Sequence, residues 1–241
     1  MIIALLIGRQ GSKGFPGKNI KKYAGLHSFQ YPLVAASKSK YIDKIYINSD
    51  IDLIKKFKKK YNLNFLVRKK KFSHSAALGE DVFLDSYEQL KKIEKKIDLL
   101  VLLFANAPTV NGELIDKGIE KIIKDRNADS CISVNILNMY SPLRARALKG
   151  KYLKPFVKFE YFSKNIETLN CDRDSQGEVI FADGSFSIVR PRVFKNIKKN
   201  LLPMKWMGQK ILPLFQEFGL DVDYEWQSSL VSSWIKKNFK P

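Results

Sequence analysis

The chain has 241 residues, 45% of them hydrophobic and 28% charged, a composition that suits one sizeable soluble α/β domain. No apolar run approaches the length of a membrane span, and Met1 to Ile7 is too short for a signal-peptide core and has no basic segment before it, so we expect a cytoplasmic protein. The net charge of +19 invites a nucleic-acid partner, but the lysines fall in separate runs at 55–60, 69–71, 91–96 and 195–199, with no helix-turn-helix, zinc-finger or aromatic RNP-like pattern beside them.

The apolar run Ile2 to Ile7 reads as a buried strand. It delivers Gly8-Arg9-Gln10-Gly11-Ser12-Lys13-Gly14-Phe15-Pro16-Gly17-Lys18-Asn19, a segment with three cations, four glycines and no acid. The string is not a P-loop, because Pro16 stands where the second glycine belongs and Asn19 follows Lys18; nor does the spacing of the glycines give G-x-G-x-x-G. A bare, basic backbone after a buried strand suits a triphosphate, and a basic surface turn is the plainer alternative.

Tyr31 to Lys40 has helical spacing, Ile45 to Asn48 reads as a second strand, and Ser49-Asp50 can cap a helix over Ile51 to Tyr61. Asn64 to Val67 is a short third strand running into Arg68, which read alone is as much a surface cation as a ligand-binding one. A helix over Glu80 to Lys96 and the most hydrophobic strand, Leu99 to Phe104, follow, then a helix over Ile115 to Lys124 and a strand over Ala128 to Val134. This alternation predicts a doubly wound, mostly parallel sheet with helices on both faces. From 138 to 176 periodic signals fade, which we read as an excursion from a single domain spanning 1–241. Phe181 to Val189 is a further strand, and Phe218 to Tyr224 leads into a terminal helix over Glu225 to Asn238. Asp221 and Asp223, two apart on an extended segment, point to one side and suit Mg²⁺ shared with phosphate; alone, an Asp before a helix is often only a cap. Cys131 and Cys171 have no metal-type spacing.

The string Arg9-x-x-Ser12-Lys13-Gly14-x-Pro16-x-Lys18-Asn19 resembles the signature of the acylneuraminate cytidylyltransferase family, and weaker matches run through most of the chain. The resemblance implies a nucleotidyltransferase-like fold, transfer of CMP from CTP to an acidic sugar such as a nonulosonic acid, Mg²⁺, and a homodimer. It further implies that Arg9, Gly11, Ser12, Lys13, Asn19 and Arg68 bind nucleotide, that Lys18, Arg173 and Asp223 are catalytic, and that Asp221 and Asp223 hold the metal. Phe104, Arg144, Arg173 and Asp183 fall at acceptor positions, and 138–176 on the arm that reaches the neighbouring subunit. Three positions depart from the family's pattern: Phe104 stands for a glutamine, Val110 for an arginine and Asp183 for an asparagine. The serines that relatives carry beyond Arg68 are replaced by Ala76-Ala77-Leu78-Gly79. A metal-dependent glycosyltransferase is the enzymatic rival, disfavoured because its Asp-x-Asp lies mid-chain; a non-catalytic nucleic-acid-binding protein is the other.

If the charge only solvates separate faces, filter binding of RNA or DNA at about 150 mM salt, where exposed charges more than about 8 Å apart are screened, should show weak retention indifferent to sequence. Tight, sequence-selective retention there would turn the reading toward nucleic acid.

Overall fold

A computed structural model describes residues 1–162 and 165–239, with only the backbone of Arg173. In chain order come β1 (Ile2–Gly8), the two-residue strands β2 (Lys22–Tyr23) and β3 (Leu26–His27), α1 (Gln30–Lys38), β4 (Lys44–Ser49), α2 (Lys58–Tyr61) and β5 (Leu63–Phe65). Then follow α3 (Gly79–Ile93), β6 (Leu99–Phe104), α4 (Gly112–Lys124), β7 (Ser130–Ile136), the hairpin β8 (Arg146–Lys149) and β9 (Tyr152–Pro155), β10 (Ile180–Val189), α5 (Arg192–Lys195), β11 (Ile211–Phe215) and α6 (Gln227–Asn238).

Seven strands form one sheet in the order β11-β7-β10-β6-β1-β4-β5. All neighbours are parallel except β10, which runs antiparallel between β6 and β7. The sheet is therefore doubly wound and mostly parallel, as the β-α alternation predicts. Strand alternation divides the core in two. Ala4 and Leu6 of β1 and Val101 and Leu103 of β6 pack toward α1 and α4, whereas Ile3 and Leu5, with Leu100 and Leu102, pack toward α3 and α5. From β1 the chain steps first to β4 on one side and later to β6 on the other, so the exits of β1 and β6 flank the switch point where open α/β sheets bind ligands.

Two local expectations change. The helix read over 51–61 is a 3-10 segment, Asp52–Phe57, followed by the single α turn of α2. Lysines at 55, 56, 58, 59 and 60 repel at helical spacings, and Asn62 ends the turn in the left-handed region at φ 49°. Strand β11 was hidden by Pro213, which cannot donate to a ladder and is tolerated because β11 is an edge strand; its carbonyl accepts from Lys121 Nζ at 2.6 Å.

A third, smaller cluster fixes the end of the chain. Phe15 of the basic loop, Tyr23, Tyr31 and Val222 pack against Val231 and Ile235 of α6. Truncating Val222, which is fully buried, should cost about 2 kcal/mol and lower the urea midpoint of Val222→Ala with an unchanged slope. A midpoint equal to wild type would mean that this cluster is not what pins the segment.

Candidate active site

The opening loop begins where two strands nearly touch. A Cβ on Gly8 would lie 2.6 Å from the Ala105 Cβ, so only glycine lets the exits of β1 and β6 approach this closely. The loop then closes on itself: Asn19 Nδ2 donates to the Arg9 carbonyl at 2.7 Å, and the Ile20 amide to the Gly17 carbonyl at 2.9 Å. The Arg9 guanidinium donates to the Gly11 carbonyl, and the Gln10 amide donates to Asp50 Oδ1 at 2.8 Å, tying the loop to the exit of β4. Gly11 and Lys13 are exposed and Ser12 is half-buried, while Asn19 is buried with its Oδ1 unpartnered. Phe15 anchors the loop from below, so the cations sit on a fixed turn.

Lys18 reaches across to the far end of the sequence and pairs with Asp223. The segment carrying that carboxylate is held by Asn106, just beyond β6. Asn106 accepts from the Val222 amide at 2.8 Å through its backbone carbonyl, and its Nδ2 donates to the Val222 carbonyl at 3.1 Å. The same Nδ2 lies 3.3 Å from Asp223 Oδ1 and 3.5 Å from Asp221 Oδ2. Val222 is turned into the core, and on an extended segment this sends both flanking carboxylates the opposite way. Two glycines admit the approach. A Cβ on Gly14 would meet the Asp223 carbonyl at 2.9 Å, and one on Gly184, at φ +73°, would meet Asp221 Oδ1 at 2.7 Å. From the helix side, Gln227 Oε1 accepts from the amides of Asp223 and Tyr224 at 2.7 and 2.8 Å.

This geometry leaves two acids sharing little positive charge. Burial, with the neighbouring Asp223 charge second, pushes the Asp221 carboxyl up to about 6, against the opposing pull of Lys18 and of the Asn106 amide. A divalent cation between the two carboxylates would remove that conflict. Among the described residues no group of three or more His, Cys, Asp or Glu side chains could hold a metal. The pair thus fits a metal that takes one or two protein carboxylates and completes its shell with phosphate oxygens, as Mg²⁺ does.

Arg68 faces the same end of the sheet. Its Nη1 donates to the Asn48 carbonyl at 3.1 Å and its Nη2 to the Phe72 carbonyl at 2.6 Å, with Nε buried and unpartnered. Burial, and after it the field of Arg9, draws its affinity for a proton down, while Asp50 opposes. Phe104 stacks edge-on to Phe83 at 5.4 Å between ring centres and lies beside Trp206 at 6.2 Å. Asp183 is buried and its oxygens are taken up, accepting from Ser133 Oγ at 2.6 Å, the Ser185 amide at 2.8 Å and Gln216 Nε2 at 2.5 Å. Arg144 sits on the excursion, donating to the Cys171 carbonyl at 2.6 Å, and no described contact joins it to the basic loop or to the aspartates. Arg173 opens the turn Arg173–Gln176; its side chain lies outside the described residues.

The structure thus gathers the basic loop, Arg68 and the aspartate pair at the switch point, 205 positions apart along the chain in the case of Lys18 and Asp223. The sequence profile of the family described as Cytidylyltransferase matches residues 3–184. The chain belongs to the cytidylyltransferase family. It is 26% identical to the N-acylneuraminate cytidylyltransferase of Oncorhynchus mykiss over 227 residues, 93% of this chain and 48% of that one. It is 28% identical to the pseudaminic acid cytidylyltransferase of Campylobacter jejuni over 126 residues, 52% of this chain and 54% of that one. The chain spans about half the length of these curated relatives. A CMP:2-keto-3-deoxy-manno-octonic acid synthetase complexed with CTP superposes with a TM-score of 0.67 over 99% of both chains at 13% identity. The 4-diphosphocytidyl-2C-methyl-D-erythritol synthase of Anaerococcus prevotii does so with a TM-score of 0.63 over 98% of this chain and 96% of that one, also at 13% identity. These two likenesses bear on fold, and the fold is that of the nucleotidyltransferase-like sheet expected from the sequence.

Asn106 belongs to no motif or period of the sequence. Its only signal was a polar residue directly after the most apolar strand, the place where an α/β sheet presents ligand-binding groups.

The raised Asp221 carboxyl sets a pH test. A carboxyl whose folded value lies above its ordinary 3.8 is destabilising once ionised: the cost is absent below about pH 4, grows through about 6, and is full at pH 7. Asp221→Asn, without metal, should therefore be about 2 kcal/mol more stable than wild type at pH 7 and equal to it near pH 4. Melting curves at the two pH values check this; a gain of the same size at both would assign it to something other than the charge.

Proposed function

We propose that this member of the cytidylyltransferase family transfers CMP from CTP to an acidic sugar of the nonulosonic type, with release of pyrophosphate. The observation that carries the reading is the meeting of Lys18 with the Asp221–Asp223 pair across Asn106, which brings the basic loop and the paired carboxylates to one point. Arg9, Lys13 and Lys18 would neutralise the triphosphate, the bare glycines of the loop letting its backbone come close. Asn19 and Arg68, each with an unpartnered buried polar atom, would contact the nucleoside.

Asp221 and Asp223 would hold Mg²⁺, which when bound supplies positive charge at the phosphates and lowers the Asp221 carboxyl toward its ordinary value. In the transfer the acceptor hydroxyl oxygen forms a bond to the α-phosphorus while the bond from that phosphorus to the α–β bridging oxygen breaks. The electron pair leaves with pyrophosphate, stabilised by Lys18 and Lys13, and the hydroxyl proton passes to a carboxylate of the pair and on to water. Positioning and charge do most of this work, so little covalent help is needed from the protein.

The exposed apolar side chains of the excursion, among them Leu148 at 72%, Leu153 at 68% and Phe156 at 66% exposure, support its use as a homodimer arm. Arg144 and Arg173 would then meet the acceptor's carboxylate from the neighbouring subunit. Among the described residues no helix is long and apolar enough to cross a membrane.

Assaying pyrophosphate release from CTP with a panel of acidic sugars tests the reading. Lys18→Ala should lower kcat/KM for CTP by about 10²-fold, the scale of one lost transition-state charge contact, and Asp223→Ala should remove turnover at any Mg²⁺ concentration. Calorimetry should show CTP bound more tightly than ATP. Equal or tighter ATP binding, or full turnover by Asp223→Ala, would refute the assignment.

A further inference from the structure

The net charge of +19 is far more than a triphosphate site uses, and the fold gathers much of it elsewhere. Strand direction fixes the place. β5 begins just after Lys58–Tyr61, β6 just after the lysines at 91–96, and the antiparallel β10 ends just before the lysines at 195–199. Since the other six strands are parallel, these three points lie at one end of the sheet, and Lys210, before β11, joins them. Contacts close that end: Lys44 Nζ donates to Glu94 Oε1 at 2.7 Å, the Asp98 amide to the Met1 carbonyl at 2.8 Å, and the Arg190 amide to the Asp129 carbonyl at 2.9 Å. Six strand spacings of about 4.8 Å make it about 29 Å wide, and the length of β1 puts about 20 Å between it and the candidate active site.

The charge there is not neutralised. Asp43 accepts from the Ile2 amide at 2.7 Å, and Asp129 from Arg192 Nε at 2.8 Å and from the Gln209 and Lys210 amides at 3.0 Å. Glu94 is spent on Lys44 and Tyr46, and Asp98 on Lys96 and the terminal amine. Among the described residues Lys92, Lys95 and every lysine of the 58–60 and 195–199 runs form no ion pair, and all are exposed. Apolar side chains stand among them. Ile93, the last residue of α3, is 57% exposed, and Leu202, three residues past Lys199, is 76% exposed. Leu201 beside it is tied down by its amide, which donates to the Gly208 carbonyl at 3.2 Å.

Cations in the last turn suit a helix end, which accounts for Lys91, Lys92 and Lys195. It does not account for Lys95, Lys96, Lys198 and Lys199, which lie past α3 and α5, nor for exposed aliphatic side chains between them. A second copy fits poorly, because like charge would meet like. Nucleic acid would use the cations and leave Ile93 and Leu202 idle, and the runs present no exposed ring on which a base could stack. A bilayer surface uses both, its anionic headgroups meeting the lysines and its interfacial layer taking up the aliphatic side chains.

We propose that this end of the sheet is a docking surface for a membrane rich in anionic phospholipid, which holds the chain with its candidate active site facing away from the bilayer. The inference stands apart from the transfer chemistry, since no residue of the basic loop or the aspartate pair takes part in it.

Co-sedimentation of the whole chain with vesicles tests it, using phosphatidylglycerol and phosphatidylcholine in equal parts beside phosphatidylcholine alone, at about 0.1 M salt. The partition coefficient should be at least about tenfold higher on the anionic vesicles. Lys195→Gln, Lys198→Gln and Lys199→Gln combined should lower it by about 10²-fold, at about fivefold per lysine. The same three-charge change at Lys149, Lys151 and Lys154, exposed on the β8–β9 hairpin, should lower it by less than about threefold, because only charges within a screening length of the surface count. Leu202→Ser should lower it about threefold, and by the same factor when the salt is doubled, since apolar burial is not screened. Melting curves report that each variant is folded. Equal partition onto both vesicle types, equal losses from the two lysine triples, or a Leu202→Ser variant that binds like wild type overturns the proposal. RNA retention that exceeds vesicle binding and is lost with the 195–199 lysines would overturn it in favour of nucleic acid.

Discussion

The burial of the Asp221 carboxylate beside that of Asp223 is the constraint around which the site is arranged. Two carboxylates two positions apart would separate in a free chain, and here Val222, locked into the core between them, forbids it. Asn106 grips the same residue by both its amide and its carbonyl. Burial, with the neighbouring Asp223 charge second, appears as the raised Asp221 carboxyl, and Lys18 only partly offsets it. On the proposed reading, a site poorly satisfied by itself would accommodate a metal and a polyphosphate together, their opposite charges meeting its own.

Each supporting element can be traced to this need. Phe15 ties the basic loop to the same small cluster that buries Val222, so loop and aspartates share one anchor. The last helix contributes Val231 and Ile235 to that cluster and Gln227 to the amides of Asp223 and Tyr224. Glycines at 8, 14 and 184 stand where backbones or carboxylates come too close for a side chain. The antiparallel β10 brings Gly184 to the end of the sheet where the parallel strands exit, which a parallel strand in that slot would reach only with its last residues.

Much of this was legible in the sequence where the physics is local. The apolar runs of β1 and β6 and the i, i+2 carboxylates announce themselves by period alone, and the basic loop by its composition. Asn106 was not legible, because its importance comes from a residue 116 positions away. Strand β11 was obscured by Pro213, acceptable only at an edge that the sequence does not mark. For Asp183 the sequence suggested an acceptor contact, whereas three intramolecular donors occupy its carboxylate, so any such contact must compete with them. The hairpin of the excursion escaped notice because both its faces are exposed, which removes the alternation that betrays a strand.

The two departures after β6 share a physical direction. Val110, where the resemblance has an arginine, is fully committed to the core against α1 and α4, and Phe104, where it has a glutamine, joins the aromatic cluster on the opposite face with Phe83 and Trp206. The exit of β6 is therefore less polar on both sides than the pattern implies. The acidic acceptor proposed above would need a cation for its carboxylate, and with Val110 where the resemblance has an arginine that task would fall to cations elsewhere. Arg144 on the excursion is exposed and spends a guanidinium nitrogen on only one described carbonyl, that of Cys171. On the proposed reading the sheet end would supply apolar shape and phosphate chemistry, and charge recognition of the acceptor would fall to the excursion, whose exposed apolar surface would bring it against the site of a second copy.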